Sequence, residues 1–174
     1  FPARLKDCGA HAFDELSYPG DSIKQEYKED ILVGYRWHDT KKIPALFPFG
    51  HGLSYTTFTY GKPVASAKVM AADGTLTLTV AVKNTGSVAG KEIVQLYIGD
   101  DKCSVLRPVK ELKHFAKVAL APGQEKSVTF TLTPDDLKFY DEASAAWKYE
   151  PGKFKAYVCA SSADVRGVVS FEMQ

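Results

Sequence analysis

General acid–base chemistry needs two carboxyl groups held across a reacting bond, and the first part of this chain is well supplied with them. Asp14, Glu15, Glu26, Glu29, Asp30 and Asp39 all precede Pro44. A pair can be drawn from this set, but loop carboxylates are ordinarily solvated and charged residues are rarely buried. Glu29 is the least ordinary, because it comes just before the apolar run Ile31-Leu32-Val33 and so lies near an expected sheet edge. No catalytic role is assigned to any of them.

Other chemistries find less support. His11, His38, His51 and His114 show no His-x-x-x-His or His-Glu spacing, so no metal site is expected. Cys8, Cys103 and Cys159 are odd in number and widely separated, which describes idle or buried thiols better than a disulfide framework. No glycine-rich phosphate cradle occurs, and no cofactor is expected. His51 lies between Gly50 and Gly52, where the backbone can turn tightly. It reads as a hydrogen-bonded loop histidine, with pocket lining or domain packing as the functional alternative. Trp37, Trp147 and the tyrosines Tyr55, Tyr60, Tyr97, Tyr140, Tyr149 and Tyr157 offer possible platforms for a sugar ring. Large aromatics more often pack in a core or between domains.

Composition sets the frame for these residues. The 174 residues carry 22 Lys+Arg against 21 Asp+Glu, a net charge of +1, which is neither a nucleic-acid footprint nor an acidic tail. A 45% hydrophobic and 25% charged composition is that of an ordinary globular domain. No apolar stretch approaches the ~18–20 residues that a membrane-spanning helix needs.

The elements that must position the candidates divide near residues 54–61. Residues 1–54 are irregular, punctuated by Pro2, Pro19-Gly20, Pro44, Pro48, Gly50 and Gly52. Their one expected strand is Ile31–Val33, whose continuous apolar run suits a sheet covered on both faces. From residue 55 the pattern changes to period two. Leu76, Leu78, Val80 and Val82 alternate with threonines and Ala81, and the alternation returns at Val94-Leu96-Ile98, Val128-Phe130-Leu132 and Phe154-Ala156-Val158. Leu112–Leu120 is read as a further strand. Asp73-Gly74 predicts a two-residue hairpin turn, and Pro122-Gly123 and Pro151-Gly152 predict type II turns. The fold class is therefore mainly β: an antiparallel β-sandwich of immunoglobulin-like architecture over residues 55–174, preceded by an irregular segment.

Two motifs carry a resemblance. YKEDILVGYRW (Tyr27–Trp37) and LFPFGHGLSYTTFTY (Leu46–Tyr60) resemble the end of the second, α/β domain of glycoside hydrolase family 3, the β-glucosidase family. EIVQLYIGD (Glu92–Asp100), RPVKELKHF (Arg107–Phe115), LAPGQ (Leu120–Gln124), FYD (Phe139–Asp141) and EPGKF (Glu150–Phe154) resemble its fibronectin type III-like domain. The chain departs from the pattern at Asp30, where a glycine is usual, and at His38, where a second aromatic is common. The resemblance implies that residues 1–54 are the end of the α/β domain and its linker. It also implies a retaining, exo-acting parent enzyme, periplasmic or secreted. Its nucleophile Asp, in a Ser-Asp-aromatic motif absent here, and its acid/base Glu would lie upstream of Phe1.

Three readings follow: the C-terminal part of a β-glucosidase, a non-catalytic carbohydrate-binding module, or a protein-interaction domain. The Phe-Pro-Phe-Gly-His-Gly seam favours the first. Its partners would be the preceding catalytic domains and, through them, a β-glucoside, with neither nucleic acid nor a membrane span. Residues 1–45, without the domain that covers them, are expected to be disordered, folded back on the sandwich, or used in a homo-oligomer contact.

Overall fold

The alternating apolar residues of the second part meet across two sheets. The computed structural model of the chain describes residues 1–13 and 16–174, so the candidate carboxylates Asp14 and Glu15 lie outside the described residues. One α-helix, α1 (Tyr35–Lys41), comes first. The strands follow as β1 (Phe58–Tyr60), β2 (Val64–Ala65), β3 (Val69–Met70), β4 (Leu76–Asn84), β5 (Gly90–Asp100) and β6 (Glu111–Leu120). They continue as β7 (Glu125–Leu132), β8 (Phe139–Asp141), β9 (Ala146–Lys148), β10 (Gly152–Ser161) and β11 (Asp164–Met173).

In the first sheet β4 is central. β7 pairs with it on one side, and β1 and β2 run successively along the other, interrupted at Gly61–Pro63. The second sheet has the order β3-β11-β10-β5-β6, antiparallel except for the short parallel pairing of β3 with β11. The inward residues of β4 and β7 pack against those of β5, β10 and β11 in one core. Every residue in the four alternating sets is buried, with Leu76, Val82, Val94, Leu96, Leu132, Phe154 and Ala156 at 0% exposure. Each side chain of the larger types stabilises the fold by roughly 1.5–3 kcal/mol.

Turn chemistry is met in part. Gly123 has φ +73° and the Gln124 amide donates to the Ala121 carbonyl at 3.0 Å, a type II turn as expected. Asp73-Gly74 is not a hairpin. Neither residue has positive φ, the Gly74 amide donates to Ala71, and the turn carries the chain from β3 in one sheet to β4 in the other. Pro151-Gly152 opens β10 instead of forming a type II turn, with Gly152 already in register with Met173.

Asn84 anchors the crossing from β4 to β5. It is fully buried, its amide nitrogen donates to the Val88 and Leu120 carbonyls, and its Oδ1 accepts from the Thr56 hydroxyl and the Gly86 amide. A buried amide so satisfied costs little and fixes three chain segments at once.

Candidate functional site at the seam

The N-terminal segment folds back onto the sandwich, the second of the three outcomes expected for it. It does so without the expected strand. Ile31 and Val33 are exposed at 49% and 60%, and only Leu32, at 3%, is buried. This chain offers Ile31–Val33 no neighbouring strand to pair with, so the run turns instead, with the Val33 amide donating to the Ile31 carbonyl. Asp30 takes a left-handed φ of 54°, which explains why glycine suits its position; its own Oδ1 accepts from the Ile31 amide at 2.7 Å.

Gly34 (φ 62°) then starts α1, and Lys42, also left-handed, stops it. This single short helix carries the contacts that join the two parts. Tyr35 places its hydroxyl 2.9 Å from the Leu112 amide, which donates to it, and its ring edge against Tyr97 at 5.5 Å. Thr40 accepts from the Val109 amide at 3.1 Å. Asp39 pairs with Lys110 at 2.5 Å, both largely buried. Burial raises the pKa of the Tyr35 and Tyr97 hydroxyls, so both remain protonated donors.

The receiving surface is the outer face of β5. Gln95, Tyr97 and Gly99 are all buried, although they point away from the sandwich core. The Tyr97 hydroxyl donates to Gln95 Oε1 at 2.6 Å, and Gln95 Nε2 donates to the Ala160 carbonyl at 3.0 Å. Gly50, at φ +80°, lies flat on the Gln95 amide, where a Cβ would come within 2.3 Å of Nε2. The Pro48–His51 turn that presents Gly50 closes through the His51 amide and the Pro48 carbonyl, while the Phe49 carbonyl accepts from the Ser162 amide at 2.8 Å. The Phe-Pro-Phe-Gly-His-Gly motif is thus a clasp on β5 and on the β10–β11 turn.

Beside this clasp lies a cleft of about 710 Å³ lined by Phe1, Trp37, Pro44, Phe47, Phe49 and His51, among others. Among the described residues Asp39 is its only carboxylate, and Asp39 is committed to Lys110. Glu26 is held in ion pairs by Lys24 and by Lys28, which lower its pKa in that order. Glu29 lies near Gly9, outside the cleft, and Asp30 is exposed on its turn. The described candidates therefore do not assemble into an opposed pair. His11 packs against Tyr18, His38 Nδ1 donates to the Ile43 carbonyl at 3.0 Å, and His114 Nε2 lies 3.0 Å from Asp136, outside the cleft. Among the described residues no three His, Cys, Asp or Glu side chains gather as a metal site. Burial pushes the Cys159 thiol up to about 12, which leaves it inert.

Of the two tryptophans, Trp37 cannot be a sugar platform. It is 5% exposed, and its indole nitrogen donates to the Asp7 carbonyl at 3.1 Å. Trp147 is exposed. Sequence reasoning missed Glu92, a half-buried carboxylate in a smaller cleft of about 400 Å³. Burial raises its pKa, and the Tyr60 hydroxyl, donating to Oε1 at 2.7 Å, opposes that rise. The signal was available: Glu92 and Gln95 are polar residues on a strand whose central positions are buried on both faces.

A docked, largely irregular segment on a two-sheet sandwich defines a fibronectin type III-like module with a built-in junction. Residues 92–162 match the family model of the fibronectin type III-like domain. The chain is 66% identical to a β-glucosidase of Bacteroides ovatus over 172 residues, covering 99% of this chain and 23% of that protein. A β-glucosidase of Streptomyces venezuelae, solved with D-glucose, superposes with a TM-score of 0.90 at 40% identity over 100% of this chain and 22% of its own. The glycoside hydrolase family 3 β-glucosidase of Bifidobacterium adolescentis gives 0.89 at 34% identity, over 99% and 25%. The chain corresponds to the C-terminal region of glycoside hydrolase family 3 β-glucosidases, and spans about a quarter of the length of these relatives.

Proposed function

We propose that these 174 residues are the C-terminal part of a retaining, exo-acting β-glucosidase, and that they support catalytic domains while holding no catalytic residue themselves. The observation that carries this reading is the mismatch within residues 1–55. The segment is clasped to the sandwich at Leu112, Val109 and Gln95 by Tyr35, Thr40 and Gly50, yet it exposes Ile23 at 94%, Leu53 at 96%, Tyr55 at 99% and Phe1 at 84%. Apolar surface of this extent is a contact waiting for its partner, and the preceding domains of the same protein are that partner. Residues 1–54 then belong to the α/β domain and its linker, and residues 55–174 to the sandwich. The nucleophile Asp and acid/base Glu lie on the preceding domains, and the parent acts in the periplasm or outside the cell.

The test compares two proteins on an aryl β-glucoside. A protein in which barrel and α/β domains precede these residues hydrolyses it with retention of anomeric configuration, while the 174-residue chain gives no turnover. Hydrolysis by the chain alone, abolished by a carboxylate substitution within it, would falsify the assignment.

A further inference from the structure

A third cleft, walled by Arg36 of α1 and by the residues just before β6, has a different chemistry. It has a volume of about 1130 Å³, and its floor is the hairpin β8–β9. Tyr140 and Trp147 are directly opposite each other in that hairpin. They are exposed at 50% and 66%, with ring centroids 5.7 Å apart and planes at 71°. Two aromatic faces meeting nearly at a right angle form a corner.

The corner is rigidly built. On the hairpin's other face Phe139 and Asp141 are buried. Phe139 lies under the Arg107 guanidinium and the Lys148 ammonium. Asp141 accepts from the Ser144 amide and hydroxyl, closing the turn, and pairs with Lys148 at 2.7 Å. A Trp held in place by its neighbours loses little conformational freedom when a ligand stacks on it.

The walls identify the kind of ligand. Acidic and basic side chains line the cleft in equal number. Each of the bases has a carboxylate partner: Arg107 and Arg36 meet Glu111 at 2.9 and 3.7 Å, Lys113 meets Glu111 at 3.8 Å, and Lys138 meets Asp135 at 2.5 Å. With as many acids as bases in its lining, the cleft holds no excess of cations for a phosphate or a nucleic acid. A protein interface would instead carry few charges at its centre. Aromatic faces ringed by neutralised, hydrogen-bonding side chains suit an uncharged polyol, whose C–H faces stack while its hydroxyls reach the ion pairs.

We propose that the Tyr140–Trp147 corner is a binding site for a neutral gluco-oligosaccharide. The β-linkage of that oligosaccharide rests on the β-glucosidase reading; the platform does not.

The experiment uses the whole chain and needs no turnover. Cellotetraose, laminaritetraose and maltotetraose are titrated against it, read by tryptophan fluorescence and by amide chemical shifts. Saturable binding of one of the β-linked sugars is expected. Trp147→Ala should weaken it about tenfold or more, the order of one lost stacking contact. Trp147→Phe should restore part of the affinity, and Tyr55→Ala, at a fully exposed site in the linker, should leave it unchanged. Thermal unfolding of Trp147→Ala within a few degrees of the parent shows that the hairpin still folds.

Absence of binding overturns the proposal. So do binding indifferent to Trp147→Ala and a Trp147 buried by self-association of the chain, while binding of maltotetraose alone overturns the β-linkage. Failure here leaves the hydrolysis test of the parent reading untouched, and failure of that test leaves this binding result untouched.

Discussion

The sandwich and the segment clasped to it solve the same problem by opposite means. In the sandwich, strands of up to 11 residues bring apolar side chains from two sheets into one core, and the backbone is satisfied by the ladders. Among the described residues of 1–54 there are two short 3-10 helices and one α-helix of 7 residues, and order comes from polar contacts to Val109, Lys110 and Leu112 at and just before the start of β6. A core made of long-range apolar contacts can stand alone. A segment held by a handful of hydrogen bonds and two ion pairs takes its shape from its host.

This difference can be tested by breaking each side. The largest effect belongs to the core. Phe154→Ala, at a site with 0% exposure stacked on Phe171, should cost about 3–5 kcal/mol in denaturant unfolding, whereas Ile23→Ala in the segment should stay within about 0.5 kcal/mol. Equal losses would show that the segment is part of the same cooperative core.

Asn84→Ala comes next. It strands the Thr56 hydroxyl, the Gly86 amide and two carbonyls, one of which, that of Leu120, is buried. A loss of about 2–3 kcal/mol in the same unfolding measurement is expected. A loss confined to the first strand pair would mean that Asn84 serves only the local turn.

The seam should respond more gently. Tyr35→Phe leaves the Leu112 amide without its acceptor while keeping the ring against Tyr97. The expected cost is about 1 kcal/mol. It should appear as faster hydrogen exchange across residues 35–51 and at Leu112, with the core of β4 and β10 unchanged. Uniform acceleration everywhere would merge the two regions into one unfolding unit.

The smallest effect depends on pH. Burial holds the Glu92 carboxyl above its ordinary range, so its contribution favours the fold while protonated and is lost as pH rises through the folded-state value. Glu92→Gln keeps an acceptor for the Tyr60 hydroxyl and removes the charge. The variant should be the more stable near neutral pH, and its advantage should shrink as pH falls below the ordinary glutamate range. Chemical denaturation at about pH 7 and about pH 4 measures this; an advantage that grows on acidification would reverse the assignment.

Much of the sandwich was legible because its signal is periodic. Leu76 to Val82 repeats every second residue, and a strand with one face in a core must show that repeat. Leu112–Leu120, with its uneven apolar positions, was legible through the turn at Pro122-Gly123. The misreadings have a common cause. Ile31–Val33 has the composition of a buried strand, but a strand exists only where another lies beside it. Asp73-Gly74 has the composition of a hairpin turn, but the chain there changes sheets. α1 is too short to display a stripe. For the seam, Gly50 was visible, but its target, the Gln95 amide, is 45 residues away and carries no local mark.

Sequence alone settled the sandwich architecture, the turn at Pro122-Gly123 and the kinship carried by the two motifs, because these depend on local periodicity, backbone preference and residue identity. The tertiary structure decided which carboxylates meet, which tryptophan is buried and which is displayed, and what covers the outer face of β5. Those outcomes depend on contacts between residues far apart in the chain, and no local pattern encodes a distance that only folding creates.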